Sequence, residues 1–204
     1  MLDFMYISRM DYEKAIIGSD LDLLDDMRLH GEKIIGYFST SDKKIGFPFL
    51  GDHSQIKNLP PDVKLVVAVD DPDFRRYMKN EFSNLLSGYI SPLARISSST
   101  KIKINSVVYP HSYISAQVEL GELVKISVGT QVHHECNVGD FSVIGPRSLV
   151  LGRVRIGQNT FIGAGTCISP NTFIGSDVTV GMGSNILKDV NDNTKVWGNP
   201  AKPQ

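Results

Sequence analysis

The chain is short of most features that announce a function class. Its 204 residues hold two cysteines and one tryptophan, and its 21 Lys and Arg are balanced by 22 Asp and Glu. A net charge of −1 leaves no electrostatic footprint for nucleic acid or for an anionic membrane, so neither is expected as a partner. No apolar run approaches the roughly 20 residues of a membrane span. The opening segment, Met1 to Met10, lacks a charged n-region and has too short an apolar stretch for a signal peptide, so a cytoplasmic location is expected. Cys136 and Cys167 lack the spacing of a metal site. A phosphate-cradling loop is also incomplete: Gly18-Ser19-Asp20-Leu21-Asp22-Leu23 keeps one of the three glycines of G-x-G-x-x-G. Asp20, Asp22, Asp25 and Asp26 favour the N-terminus of a helix there but oppose an anionic ligand, so these residues by themselves read as a capped structural helix.

What the chain does have is a beat. An aliphatic residue stands at every sixth position from Ile96 to Ile186, through Ile102, Val108, Ile114, Leu120 and onward. Four residues after each comes something small: Thr100, Ser106, Ser112, Val118 and so on to Val190. Seven of the sixteen hexads also carry Gly directly after the aliphatic residue, at 121, 139, 145, 157, 163, 175 and 181. Neither a helical period nor a simple alternation produces a six-beat, whereas a solenoid of short strands and tight turns does. Three hexads then make one triangular coil. The aliphatic residue points into the prism and the small residue fills the corner, with Cys136 among the fillers. The glycines are expected to supply φ > 0 at the corners.

Before the beat, Lys14–Gly18 reads as a strand ending in a turn, residues 20–30 as a helix, Glu32–Phe38 as a second strand and Val63–Val69 as a buried one. Asp71-Pro72 supplies the N-cap and first position of another helix, with Phe74, Tyr77, Met78 and Phe82 as its apolar face. Alternating strand and helix implies a small parallel α/β sheet. The expected organisation is an α/β domain over 1–90, a prism over 91–190 and a capping tail over 191–204, joined at Ser91-Pro92-Leu93-Ala94.

The repeat, the α/β half, that join and His134-Glu135-Cys136 together resemble the hexapeptide-repeat sugar acetyltransferases, the group of sialic acid O-acetyltransferases and nucleotide-4-amino-sugar N-acetyltransferases. The resemblance runs from about residue 13 to the end and is strongest over 96–202. It implies a left-handed parallel β-helix, a homotrimer with prisms side by side, and acetyl-CoA laid in the cleft between them. It matches His134 to the catalytic base and Glu135 to the acid beside it; an imidazole titrates near neutrality and can take a proton from an attacking amine or hydroxyl. Gly152 matches a glycine whose N–H polarises the thioester carbonyl. Gly163, Ala164, Gly165, Gly181 and Gly183 correspond to coils that carry the pantetheine arm, Pro200 to a proline that shapes the cleft floor, and Lys188 and Lys202 to positions facing the nucleotide phosphates of CoA. A sugar or nucleotide-sugar acceptor falls to the N-terminal domain, at Gly18, Ser19, Ser39 and Thr40.

The chain also departs from the pattern. A second histidine common in relatives is Val143 here, an asparagine in the preceding coil is Ser127, and the acidic pair after the second strand is Ser39-Thr40. The histidine usual before the proline at the join is Ser91. The favoured function is acetyl-CoA-dependent N-acetylation of a nucleotide-linked sugar in bacterial surface-glycan biosynthesis. O-acetylation of sialic acid or another sugar hydroxyl is the alternative, and a non-catalytic trimeric scaffold a third. A metalloenzyme on the same solenoid would need three converging imidazoles. His111 and His134 take different hexad positions and no His-x-x-x-x-His pair occurs, so no metal is expected.

Overall fold

A computed structural model describes residues 12–204; the segment read above for a leader lies outside the described residues. The N-terminal half is a parallel sheet in the order β2-β1-β3-β4, formed by β1 (Glu13–Ile17), β2 (Lys33–Phe38), β3 (Lys64–Val67) and β4 (Leu86–Ser87). Helix α1 (Leu21–Leu29) follows β1, and α2 (Pro72–Phe82) follows β3. Asp20 caps α1 by accepting from Leu23 N at 3.1 Å, and Asp71 caps α2 by accepting from Asp73 N at 2.9 Å and Phe74 N at 3.2 Å. A 3-10 helix, His53–Asn58, lies between β2 and β3.

The apolar face expected on α2 is differently composed. Met78 is buried, but Phe74 and Phe82 are half-buried and Tyr77 is exposed in an aromatic cluster with Phe74, Phe82 and His53. The residue that enters the core in their place is Arg75, with no exposed surface. A helix touches its neighbour along a stripe narrower than the one its apolar residues mark out.

The second half is the parallel β-helix expected from the repeat, with the left hand that the resemblance implies. Two-residue strands recur on three faces, and each pairs with the strand eighteen residues on, as in Glu119↔Asn137↔Arg155↔Phe173. The beat starts one hexad earlier than the run from Ile96, because Tyr89–Ile90 already pairs with Val107–Val108. At the far end it tightens: Thr179 pairs with Lys195 and Ile174 bridges Val190, sixteen residues on in each case. The strand Ala201–Pro203 then folds back antiparallel on Lys195–Gly198. Every aliphatic residue from Val108 to Ile186 is buried, as is every small residue from Thr100 to Val190. The small residues are more than corner fillers. Ser106, Ser142 and Thr160 donate their hydroxyls at 2.8 Å to the carbonyls of Gly121, Gly157 and Gly175, fifteen residues on. Each bond satisfies a carbonyl that would otherwise lose about 1–3 kcal/mol on desolvation.

The structure corrects the reading of the glycines. Residues with φ > 0 stand three places after the aliphatic residue: Glu135, Arg147, Arg153, Asn159, Gly165, Asn171 and Gly183 among them. The glycines directly after the aliphatic residue are not in that region. They are required because adjacent coils touch: a Cβ on Gly139 would lie 2.5 Å from Gln158 N, and one on Gly157 2.5 Å from Ser176 N.

The α/β domain sits on one prism face, where the outward side chains Tyr89, Val107, Lys125 and Val143 are buried. On the opposed positions of another face, Lys101, Glu119, Asn137 and Arg155 are exposed. The contact is polar as well as apolar. Tyr109 OH donates to Asp20 at 2.6 Å, Tyr89 OH to Asp26 at 2.8 Å, and Lys125 Nζ pairs with Asp70 at 2.7 Å. Burial raises the pKa of both phenols, so they remain neutral donors. Two of the acids that argued against a phosphate loop thus have structural partners on the prism. Val143 and Ser127, at the positions of the missing histidine and asparagine, are buried.

The two kinds of turn residue separate in a stability measurement. Gly157→Ala drives a Cβ into backbone and is expected to cost about 2–3 kcal/mol in chemical denaturation. Gly165→Ala has open space around its Cβ and a φ of +67°, so only the backbone strain of about 1–2 kcal/mol applies.

Candidate active site

His134 follows the strand Gln131–Val132 by two residues, at the corner where the chain passes to Asn137–Val138. One coil is eighteen residues, so Gly152, Pro170 and Lys188 stack above it on the same corner. The stacking is close: a Cβ on Gly152 would lie 2.6 Å from His134 Nε2 and 2.7 Å from Cε1. Only glycine leaves room for the ring. Among the described residues, Gly152 N–H has no hydrogen-bond acceptor, while Gly152 O accepts from Asn171 N at 2.9 Å.

The other ring nitrogen is held. His134 Nδ1 lies 2.8 Å from Glu135 Oε2, and Arg153 Nε lies 3.1 Å from the same oxygen. The hydrogen bond from His134, with support from Arg153, keeps the Glu135 carboxyl below the usual carboxylate range. An ionised Glu135 draws the imidazole proton to Nδ1, which leaves the Nε2 lone pair facing Gly152. Both side chains are about half exposed, so an incoming molecule can reach them. Arg153 was missed in the sequence, although the period marks it: it stands eighteen residues after Glu135. Cys136, beside this pair, is buried and donates to Leu151 O at 3.1 Å; burial raises its pKa, which leaves it a neutral core thiol.

Gly163, Ala164, Gly165, Gly181 and Gly183 occupy a different corner, after Phe161–Ile162 and Thr179–Val180. Between this corner and the His134 corner lies a face with outward Tyr113, His133, Leu149, Leu151, Cys167 and Leu187. Two groups of expected residues therefore flank one face rather than meeting at one point. Gly165 and Gly183 have φ near +67° and +68° with nothing within 4 Å of a built Cβ, so the second corner is open. Lys188, Pro200 and Lys202 do come together, around a cavity of about 600 Å³ between residues 186–191 and the terminal hairpin.

A second cavity, about 310 Å³, opens at the carboxyl ends of β1, β2 and β3. This is where open parallel sheets receive ligands. Gly18, Ser39 and Thr40 line it, and the expected Ser19 does not. His53, Asp71 and Phe74 complete its rim. His53 was missed because it lies on a short 3-10 turn with no periodic signature; its ring sits 5.9 Å from Phe74 and 6.1 Å from Tyr77, edge-on to both. Among the described residues no group of three or more His, Cys, Asp or Glu side chains is placed to hold a metal.

The family model described as Bacterial transferase hexapeptide (six repeats) matches residues 135–170. The chain is similar to the acetyltransferase domain of PglB from Neisseria gonorrhoeae FA1090, solved with acetyl coenzyme A. The identity is 30% over 96% of this chain and 100% of that one, with a TM-score of 0.86. PerB from Caulobacter crescentus, solved with CoA and GDP-perosamine, shares 28% identity over 94% of this chain and 97% of its own, with a TM-score of 0.87. A point variant of the GDP-perosamine N-acetyltransferase from Caulobacter crescentus matches at 26% identity over 94% and 96% of the two chains, with a TM-score of 0.85.

Gly152→Ala tests the stacking directly. The added methyl meets the end of a half-exposed side chain, so the fold is expected to lose less than about 1 kcal/mol. The displaced ring should lose its bond to Glu135, read as a shift of the His134 ring nitrogens in NMR. An unmoved imidazole would show that the glycine does not set the ring's place.

Proposed function

The chain belongs to the hexapeptide-repeat sugar acetyltransferases, and from that membership we propose that it transfers the acetyl group of acetyl-CoA to the amino group of a nucleotide-linked sugar in a bacterial surface-glycan pathway. The observation that carries the reading is the His134–Gly152 stack, with one ring nitrogen engaged by Glu135 and the other free beside an unpartnered backbone N–H. His134 Nε2 accepts the proton of the attacking amine. Gly152 N–H donates to the thioester carbonyl oxygen as charge develops there. Glu135 orients the imidazole and stabilises its cation, and Arg153 keeps Glu135 in place. The amine nitrogen bonds to the acetyl carbon, the carbon–sulfur bond breaks, and the proton taken up by His134 passes to the departing sulfur, so that CoA leaves as the thiol. The chain supplies position and charge, without a covalent intermediate on the protein.

Lys188, Pro200 and Lys202 are assigned to the nucleotide end of CoA, which the two ammonium groups suit by charge. Gly163, Ala164, Gly165, Gly181 and Gly183 are assigned to the pantetheine arm, where a side-chain-poor corner leaves passage. The cavity with Gly18, Ser39 and Thr40 takes the nucleotide of the acceptor. A homotrimer fits this division. The face carrying Tyr113, Leu149, Leu151 and Leu187 is apolar enough to meet a second prism, and such contact brings one copy's His134 corner toward another copy's glycine corner. Among the described residues no helix is long and apolar enough to cross a membrane. A cytoplasmic site of action accords with the use of acetyl-CoA.

The test is CoA release from acetyl-CoA by wild type and His134→Ala, across UDP-, GDP- and dTDP-linked 4-amino sugars with free and CMP-linked sialic acid. Release is expected with one nucleotide-linked amino sugar and a fall of about 10²–10⁴ in kcat for the variant. Turnover confined to sialic acid would move the reaction to a hydroxyl. Undiminished turnover by His134→Ala would remove the proposed base.

A further inference from the structure

Arg75 is the largest side chain with no exposed surface, and it lies in the contact between the two domains. Its Nε donates to Leu123 O of the prism at 2.7 Å, and its Nη1 to Val67 O at 3.0 Å and Val69 O at 2.9 Å. Lys125 reaches the same stretch from the other side: its Nζ, extended from the prism, donates to Ala68 O at 2.8 Å. Three consecutive carbonyls at the end of β3 are therefore held by two buried cations. Only one of those cations belongs to the α/β domain, and it is also the one that grips the prism.

This arrangement is costly for a structural staple. Among the described residues Arg75 forms no ion pair, and its Nη2 is buried without a partner. Burial pulls its pKa down to about 10, so it stays charged at neutral pH. An apolar side chain of similar volume would avoid the desolvation of a guanidinium. What the guanidinium supplies instead is a fork of separate donors, with Nε on a carbonyl of the prism and Nη1 on two carbonyls of the α/β domain.

The segment so fixed leads into the wall of the proposed acceptor cavity through Val69. Val69, Asp71 and Phe74 line that cavity, and Gly18 packs on Val69, where a built Cβ would lie 3.4 Å from Val69 Cγ2. The prism end of the clamp is Leu123, which is buried in the α/β domain's core and held at φ +50°. His134 belongs to the same prism, but its corner lies opposite the face that carries the α/β domain, so in the homotrimer proposed above the base at this cavity is that of a neighbouring copy.

We propose that Arg75 is a positioning residue that registers the acceptor cavity of the α/β domain against its own prism, and through that prism against the His134 corner that a second copy presents. The inference rests on the reading of the enzyme as a nucleotide-sugar acetyltransferase with its acceptor in that cavity. Attack on a thioester tolerates little slack between nucleophile and carbonyl, and the two are presented by different domains. A clamp that spans both domains is where such slack is removed.

The test compares wild type with Arg75→Met and Arg75→Lys, using the nucleotide-linked amino sugar that wild type acetylates. Binding of that sugar and of CoA is measured by calorimetry, and kcat and both KM values by CoA release. For Arg75→Met the expectation is a fall of about a hundredfold in kcat/KM for the acceptor, with acceptor KM raised and the Kd for CoA within about twofold of wild type. Arg75→Lys, which keeps the charge but loses the fork, should fall between them. A merely structural role predicts a different result: less active protein, an equal loss of apparent kcat with every substrate, and unchanged KM values. That result, or wild-type acceptor kinetics in a folded variant, overturns the proposal. Should Arg75→Met fail to fold, Arg75→Lys is judged by the same criteria. A wild-type enzyme that neither binds nor acetylates any nucleotide-linked sugar would overturn the underlying reading, and this proposal with it.

Discussion

The contact between adjacent coils is the constraint from which the rest of this molecule follows. Parallel strands in a sheet stand about 4.8 Å apart, and the prism keeps that spacing through its turns as well as its strands. At that distance backbone meets backbone, which is why Gly139 and Gly157 have no room for a methyl group. The same spacing puts the hydroxyls of Ser106, Ser142 and Thr160 within reach of turn carbonyls fifteen residues on, in the next coil. It also creates columns, in which residues eighteen apart in sequence lie on one corner. The proposed chemistry is one more use of a column: His134 occupies a turn, Gly152 the turn above it, and Arg153 the place above Glu135.

In the proposed reading the column holds the base and the cavity of the α/β domain holds the second substrate. The two domains meet through a contact that is polar as well as apolar. Tyr89, Tyr109 and Lys125 on the prism find Asp26, Asp20 and Asp70 on the sheet domain, while Arg75 returns the contact in the opposite direction. Hydrogen bonds define angles where apolar packing defines only proximity. An interface of this kind suits two domains that must stay in register rather than merely adhere.

Some of this could be read directly from residue order. A period of six extending over ninety residues determines the prism and names its buried positions, from Val108 to Ile186, before any coordinate is seen. The cap Asp71 was legible because capping is a local transaction between a side chain and an amide two or three residues on. His134 and Glu135 were legible through resemblance, since a His-Glu dipeptide alone says little.

The rest required the third dimension. Whether a glycine serves a positive φ or a close approach depends on what lies in the neighbouring coil, and Gly152 became meaningful only with the His134 ring beside it. The burial of Arg75 among Phe74, Tyr77 and Met78 runs against helical patterning, because its partners are carbonyls at 67, 69 and 123 rather than any feature of its own helix. His53 joins the cavity from a turn fifteen residues past the strand that leads to it. The sequence by itself determined the repeat, its inward residues and the family. Tertiary structure alone decided which turns face one another and how the cavity is held against the prism, because those relations are distances between segments that local preference does not encode.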